Sequence, residues 1–287
     1  MKRLIINILI FIFAINSVEA HPGIGIVKDS KNNIYYTDLT HVWKITPNGN
    51  RTIAVRNVHT HELYVDEMDN LYGEHEYYKG EDSDSWGNYV WCLTKDGDFQ
   101  IIIPEVEGFL ENNTLVRDAQ GNSYWSKEVG EFQQINIETP NGKKSLLATH
   151  KFQNIRWMHF SKATNCIYVV DHLTIIKVTL SGKVEIIADN LKENSPPFNG
   201  VADRHYIFGL TTDSNHNIYA ATFGAKEVKK ITPNGIITTA YKSENEWSPC
   251  GILVDANKTK WIMEFSKSNK TRIVRIDDDG QRKIFGG

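Results

Sequence analysis

An all-β fold built from six repeated units is what the sequence predicts, and three observations carry the prediction. The first is a strand-and-turn pattern that recurs six times between His21 and Gly287. Val42-Trp43-Lys44-Ile45 precedes Asn48-Gly49, Val90-Trp91-Cys92-Leu93 precedes Asp96-Gly97, and Gln134-Ile135-Asn136-Ile137 precedes Asn141-Gly142. Ile176-Lys177-Val178 precedes Ser181-Gly182, Val228-Lys229-Lys230-Ile231 precedes Asn234-Gly235, and Ile273-Val274-Arg275-Ile276 precedes Asp279-Gly280. The glycine supplies the positive φ of a tight turn, so each copy reads as strand, turn and return strand. The second observation is an element ahead of each copy, a turn anchored by Asp and closed by an aromatic strand. Asp29 leads to Asn33-Ile34-Tyr35, Asp66 to Asn70-Leu71-Tyr72, Asp118 to Asn122-Ser123-Tyr124, Asp213 to Asn217-Ile218-Tyr219, and Asp255 to Thr259-Lys260-Trp261. In the fourth unit Lys162 replaces the Asp, before Cys166-Ile167-Tyr168. The third observation is the spacing of these anchors, about 40–50 residues. With four strands per unit, that is the period of a β-propeller blade.

The first 20 residues stand apart. Lys2-Arg3, the apolar run Leu4–Ile15 and the small-x-small end Val18-Glu19-Ala20 have the form of a secretory signal peptide. The apolar run is short for a membrane span, so cleavage and a secreted or periplasmic protein without a stable span are expected. The remaining chain divides into units of about 21–58, 59–110, 111–154, 155–204, 205–246 and 247–287, one six-bladed domain. A formal charge of −3 with scattered lysines offers nucleic acid no basic stripe. Cys92, Cys166 and Cys250 fall in alternate units, which argues against a disulfide.

The units Gly25-Ile26-Val27-Lys28-Asp29 through Asn48-Gly49, and Gly251-Ile252-Leu253-Val254-Asp255, resemble NHL repeats and the related six-bladed propellers of the SMP-30/gluconolactonase-like group. The resemblance runs over all six units. It implies a propeller and leaves the activity open, because lactonases, lyases and binding modules share this architecture.

In a four-stranded blade a-b-c-d, the d–a and b–c connections share one face. The sequence places its long segments there: 76–88 with Glu81, Asp82 and Asp84, 104–112, and 191–204 with Pro196-Pro197. The same face receives the most polar cluster. His59, His61 and Glu62 open strand a of unit 2, and Glu74-His75 end its strand b. His59 and His61, two residues apart, leave one side of a strand. The cluster has two readings. In one, His59, His61 and His75 ligate a divalent metal with Glu62 or Glu74 as base; in the other, the imidazoles are hydrogen-bonded between blades. Asp38, Asp171 and Glu264 align with His75 and would ring the channel with it, joined by His205 at the entrance to unit 5.

Of the zinc-binding histidines in amidating lyases of this propeller type, only His61 has a counterpart here, so the resemblance does not imply that activity. The SMP-30-like lactonases imply a metal trio that Glu62, Asn113 and Asp171 would supply. Cleavage after Ala20 would leave His21 as an N-terminal copper chelator. His159, in an apolar strand beside Trp157 and Phe160, reads as a core histidine. The expected function is a metal-dependent (zinc or calcium) lactone or ester hydrolase acting on a small polar molecule. The alternative is a propeller that binds a glycan or protein at its loop face.

Overall fold

The structure is a computed structural model and describes residues 22–108, 115–192, 201–202 and 205–287. Blade 1 consists of Ile26–Lys28 (β1), Ile34–Thr37 (β2), His41–Ile45 (β3) and Arg51–Arg56 (β4). Blade 2 has Leu63–Val65 (β5), Leu71–Tyr78 (β6), Trp86–Leu93 (β7) and Phe99–Glu107 (β8). Blade 3 has Val116–Arg117 (β9), Ser123–Val129 (β10), Phe132–Glu138 (β11) and Lys144–Phe152 (β12). Blade 4 has Ile155–Ser161 (β13), Cys166–Asp171 (β14), Thr174–Thr179 (β15) and Val184–Ala188 (β16). Blade 5 has Leu210–Thr212 (β17), Ile218–Thr222 (β18), Glu227–Ile231 (β19) and Ile237–Lys242 (β20). Blade 6 has Trp247–Val254 (β21), Lys260–Ser266 (β22), Thr271–Ile276 (β23) and Arg282–Gly286 (β24). Each sheet is antiparallel with its strands in chain order, so this is the six-bladed propeller that the repeats predict.

The repeated Asp holds the inner turn of its blade. One Asp118 oxygen accepts the Asn122 backbone N–H at 2.9 Å; the other accepts the Asn122 amide at 2.7 Å and the Tyr124 hydroxyl at 2.7 Å. The Asp29, Asp66 and Asp213 carboxylates make the same three contacts, and Asp255 accepts the Trp261 indole N–H at 2.9 Å. One carboxylate thus fixes turn, strand start and aromatic ring together, which explains the spacing of the motif. Three residues after each anchor the chain turns left-handed, at Asn32, Asp69, Gly121, Asn165, His216 and Lys258. In the outer turns only the glycine has positive φ, and its N–H bonds the carbonyl three residues back, Gly49 to Thr46 at 2.8 Å. These are type I turns followed by a left-handed glycine, the alternative to a two-residue mirror-image turn.

The core lies between blades. Tyr36, Trp91 and Tyr124 are fully buried, and five apolar clusters each join neighbouring sheets. The inner strands ring a central cavity and approach closely. The Ile24 and Gly25 amides donate to His61 O at 2.9 and 2.8 Å, and the Gly209 amide to Cys250 O at 3.0 Å. A Cβ on Gly251 would lie 2.7 Å from the Ile24 carbonyl oxygen, so glycine is required where blade 6 closes on blade 1.

Of the segments that the sequence presents as loops, residues 76–78, 86–88 and 104–107 are strand, and 109–112 lie outside the described residues. β6 and β7 pair out to Tyr78 and Trp86, and β8 runs to Glu107. Cys92, Cys166 and Cys250 are free and buried.

Candidate functional site

The polar cluster of blade 2 forms at the loop end of its inner strands, where the register of β5 and β6 brings the entry to strand a beside the end of strand b. The His59 and His61 rings meet edge to face at 4.7 Å, as their two-residue spacing predicts. The His59 amide donates to His75 Nδ1 at 2.8 Å, and the His75 ring stacks on Tyr77 and leans on Tyr89. His61 Nδ1 stands 3.5 Å from Glu74 and 3.6 Å from Glu76, the latter a residue not singled out in the sequence. Burial lowers the pKa of all three imidazoles, so they are neutral near pH 7.

Glu74 is buried beneath this cluster. Its carboxyl accepts the His61 amide and, at 3.1 Å, the Glu62 amide, bracing the entry to β5. Glu62 points the other way, toward blade 3, and accepts the Leu115 amide at 3.2 Å. Burial comes first in raising both carboxyls to about 7; the Glu74 charge adds to the shift of Glu62, while the Leu115 amide and the Arg117 charge oppose it. The Glu74 charge thus works against ionisation of Glu62, and both protonation states of each carboxyl are populated near neutrality.

Glu62 and Arg117 line the central cavity, about 600 Å³ in volume and walled by all six inner strands. His159, read from the sequence as a core histidine, borders this cavity as well. Arg117 is not among the sequence candidates; a charged residue in the apolar run before Asp118 was the available signal.

The expected ring around the channel does not form. Asp38, His75, Asp171 and Glu264 are absent from the cavity wall, and each is committed locally. Asp38 accepts the Thr40 and His41 amides and the Trp43 indole. Asp171 accepts the Gln153 and Asn154 amides. Glu264, fully buried, accepts the Tyr241 hydroxyl at 2.8 Å and pairs with Arg272 at 2.6 Å. His205 stacks on Phe208 at 6.0 Å. His21 and Asn113 lie outside the described residues. Among the described residues no three His, Cys, Asp or Glu side chains converge as metal ligands. His59, His61 and His75 are neighbours, but their ring contacts and the amide on His75 Nδ1 do not make a ligand set.

No family model matches the sequence, and no curated protein does. Solved structures do resemble the fold. A gluconolactonase from Xanthomonas campestris aligns at 12% identity and TM-score 0.59, over 93% of this chain and 87% of its own. Regucalcin, a calcium-binding protein from Agrobacterium tumefaciens, aligns at 13% and 0.56, over 90% and 84%. Virginiamycin B lyase from Staphylococcus aureus aligns at 14% and 0.53, over 93% and 85%. At these identities the likeness is one of fold.

Proposed function

We propose that the protein is an exported hydrolase of small carbonyl compounds, lactones or esters, with Glu62 in the central cavity as its proton-handling group. The observation that carries this is a carboxyl raised to about 7 on the wall of a 600 Å³ cavity. Both of its protonation states are populated near neutral pH, which suits one group to act first as base and then as acid. Ionised Glu62 takes a proton from water as its oxygen attacks the carbonyl carbon. It returns that proton to the leaving oxygen as the C–O bond breaks. Arg117, whose charge is felt at Glu62, favours the negative charge that develops on the carbonyl oxygen. A gluconolactonase among the fold neighbours supports the reaction class, and the leader-like first 20 residues support export to the periplasm or medium. A divalent ion such as zinc or calcium would polarise the carbonyl, but the described side chains do not assemble a set to hold it.

One observation favours the second reading, a binding module. Tyr78 and Trp86 are 43% and 39% exposed at the tip of the blade 2 hairpin, rings 5.5 Å apart, an aromatic platform open to a glycan or peptide.

The test is hydrolysis of a panel of lactones and p-nitrophenyl esters by the wild type and Glu62→Gln. Turnover that is lost in the folded variant supports the hydrolase. An inactive wild type, or an active Glu62→Gln, sinks it and leaves the platform as the place to look.

A further inference from the structure

The six blades share one register, so equivalent positions can be compared across the ring. Three residues before each anchor stand Ile26, Leu63, Leu115, His159, Leu210 and Ile252, one per blade. All six line the central cavity. Five are aliphatic and one is histidine. The substitution costs the fold something, because a half-buried imidazole among apolar side chains keeps only the water that the cavity holds. Burial alone pushes its pKa down to about 4, and among the described residues His159 makes no hydrogen bond or ion pair that would offset the cost. The blade 4 strands pair without it, His159 lying opposite Tyr168 in the regular register of β13 and β14. A neutral imidazole set into an apolar ring, facing a cavity and left without a protein partner, is placed to bond something that enters the cavity.

We infer that His159 is a ligand-binding residue of the central cavity, and that the ligand has an apolar body and few polar groups. The aliphatic ring with Trp157 and Phe160 would take an alkyl or aryl portion, and His159 would bond a carbonyl or hydroxyl oxygen or ring nitrogen. The wall also carries Lys28, Glu62, Arg117 and Thr211, but at the level of His159 a polyhydroxylated sugar lactone would leave its hydroxyls facing Leu and Ile. Alkyl lactones and acyl esters therefore fit the wall better. This substrate class rests on the proposed hydrolase; the role of His159 in binding does not.

Two readouts separate the claims. The first is ¹⁵N NMR of histidine-labelled Glu62→Gln protein titrated with γ-nonalactone or D-glucono-1,5-lactone, with His159→Leu giving the assignment. The second is hydrolysis of the same two lactones by wild type, His159→Leu and His159→Gln. The expected result is a saturable shift of the His159 nitrogens by γ-nonalactone at concentrations where gluconolactone has no effect. KM should rise roughly tenfold in His159→Leu, the loss of about one buried hydrogen bond, and be partly restored in His159→Gln. His159→Leu should melt no lower than wild type, since leucine is the common residue of that ring. A structural histidine would give the opposite melting result. Saturable shifts without any hydrolysis keep His159 as a binding residue and sink the hydrolase. Hydrolysis with fixed His159 signals and unchanged KM overturns His159 and keeps the hydrolase. Preference for gluconolactone overturns the apolar ligand class. No shift and no turnover with either lactone overturns both claims.

Discussion

Replacing Glu62 by Gln should stabilise the protein at alkaline pH and leave acid stability unchanged. The carboxyl moves from its ordinary value of 4.5 to about 7 on folding, because the cavity wall and the Glu74 charge disfavour its ionised form. Its folded pKa is raised, so its stabilising contribution is complete below about pH 4.5 and is lost as pH rises through about 7. At about 1.4 kcal/mol per pH unit the full loss is about 3 kcal/mol. The cavity admits water to one side of Glu62, so about 1–3 kcal/mol is expected. Glutamine keeps an oxygen for the Leu115 amide and never ionises, so the variant lacks this slope. Urea unfolding followed by tryptophan fluorescence at pH 4, 6 and 8 measures the difference directly. The two proteins should coincide at pH 4 and separate to about 1–3 kcal/mol in favour of Glu62→Gln at pH 8. A variant that is weaker at pH 8, or a difference constant across pH, would refute the account of why Glu62 is perturbed.

Three further predictions concern the frame around the site. Asp118→Ala, which removes four hydrogen bonds from one blade turn, should cost about 2–4 kcal/mol in denaturant unfolding. Gly251→Ala forces a Cβ against the Ile24 carbonyl and should cost about 1–3 kcal/mol, seen as a lower Tm, because backbone atoms cannot yield there. Glu264→Ala leaves the Arg272 guanidinium without its buried partner and should cost about 3–5 kcal/mol; a wild-type Tm would show that water already solvates that pair.

The fold is legible because its signals are local and repeated. The Asp-x-x-x-Asn-x-Tyr spacing is one carboxylate's reach across a turn, and it survives with Trp261 in place of Tyr. The blade 2 cluster is legible for the same reason, since His59, His61, Glu74 and His75 are near one another along two paired strands. What the sequence conceals is where a side chain goes once the blades pack. Asp38, Asp171 and Glu264 align with His75, but each turns back to amides, an indole or an arginine of its own surroundings and leaves the channel. His159 passes for a core residue because one strand in isolation is simply apolar. Only comparison of the same position around the ring shows a histidine among five aliphatic residues. Residues 76–78, 86–88 and 104–107 pass for loop because β-strands can extend past the sheet with no change in composition.

The central claim is that Glu62 changes protonation near neutral pH inside the cavity, and ¹³C NMR of protein labelled at the glutamate carboxyl tests it most directly. The account predicts two carboxyl signals titrating near pH 7, from Glu62 and Glu74, with the Glu62 signal gone in Glu62→Gln. A Glu62 signal that titrates in the ordinary range near 4.5 would contradict it, and with it the case for Glu62 as the proton-handling group.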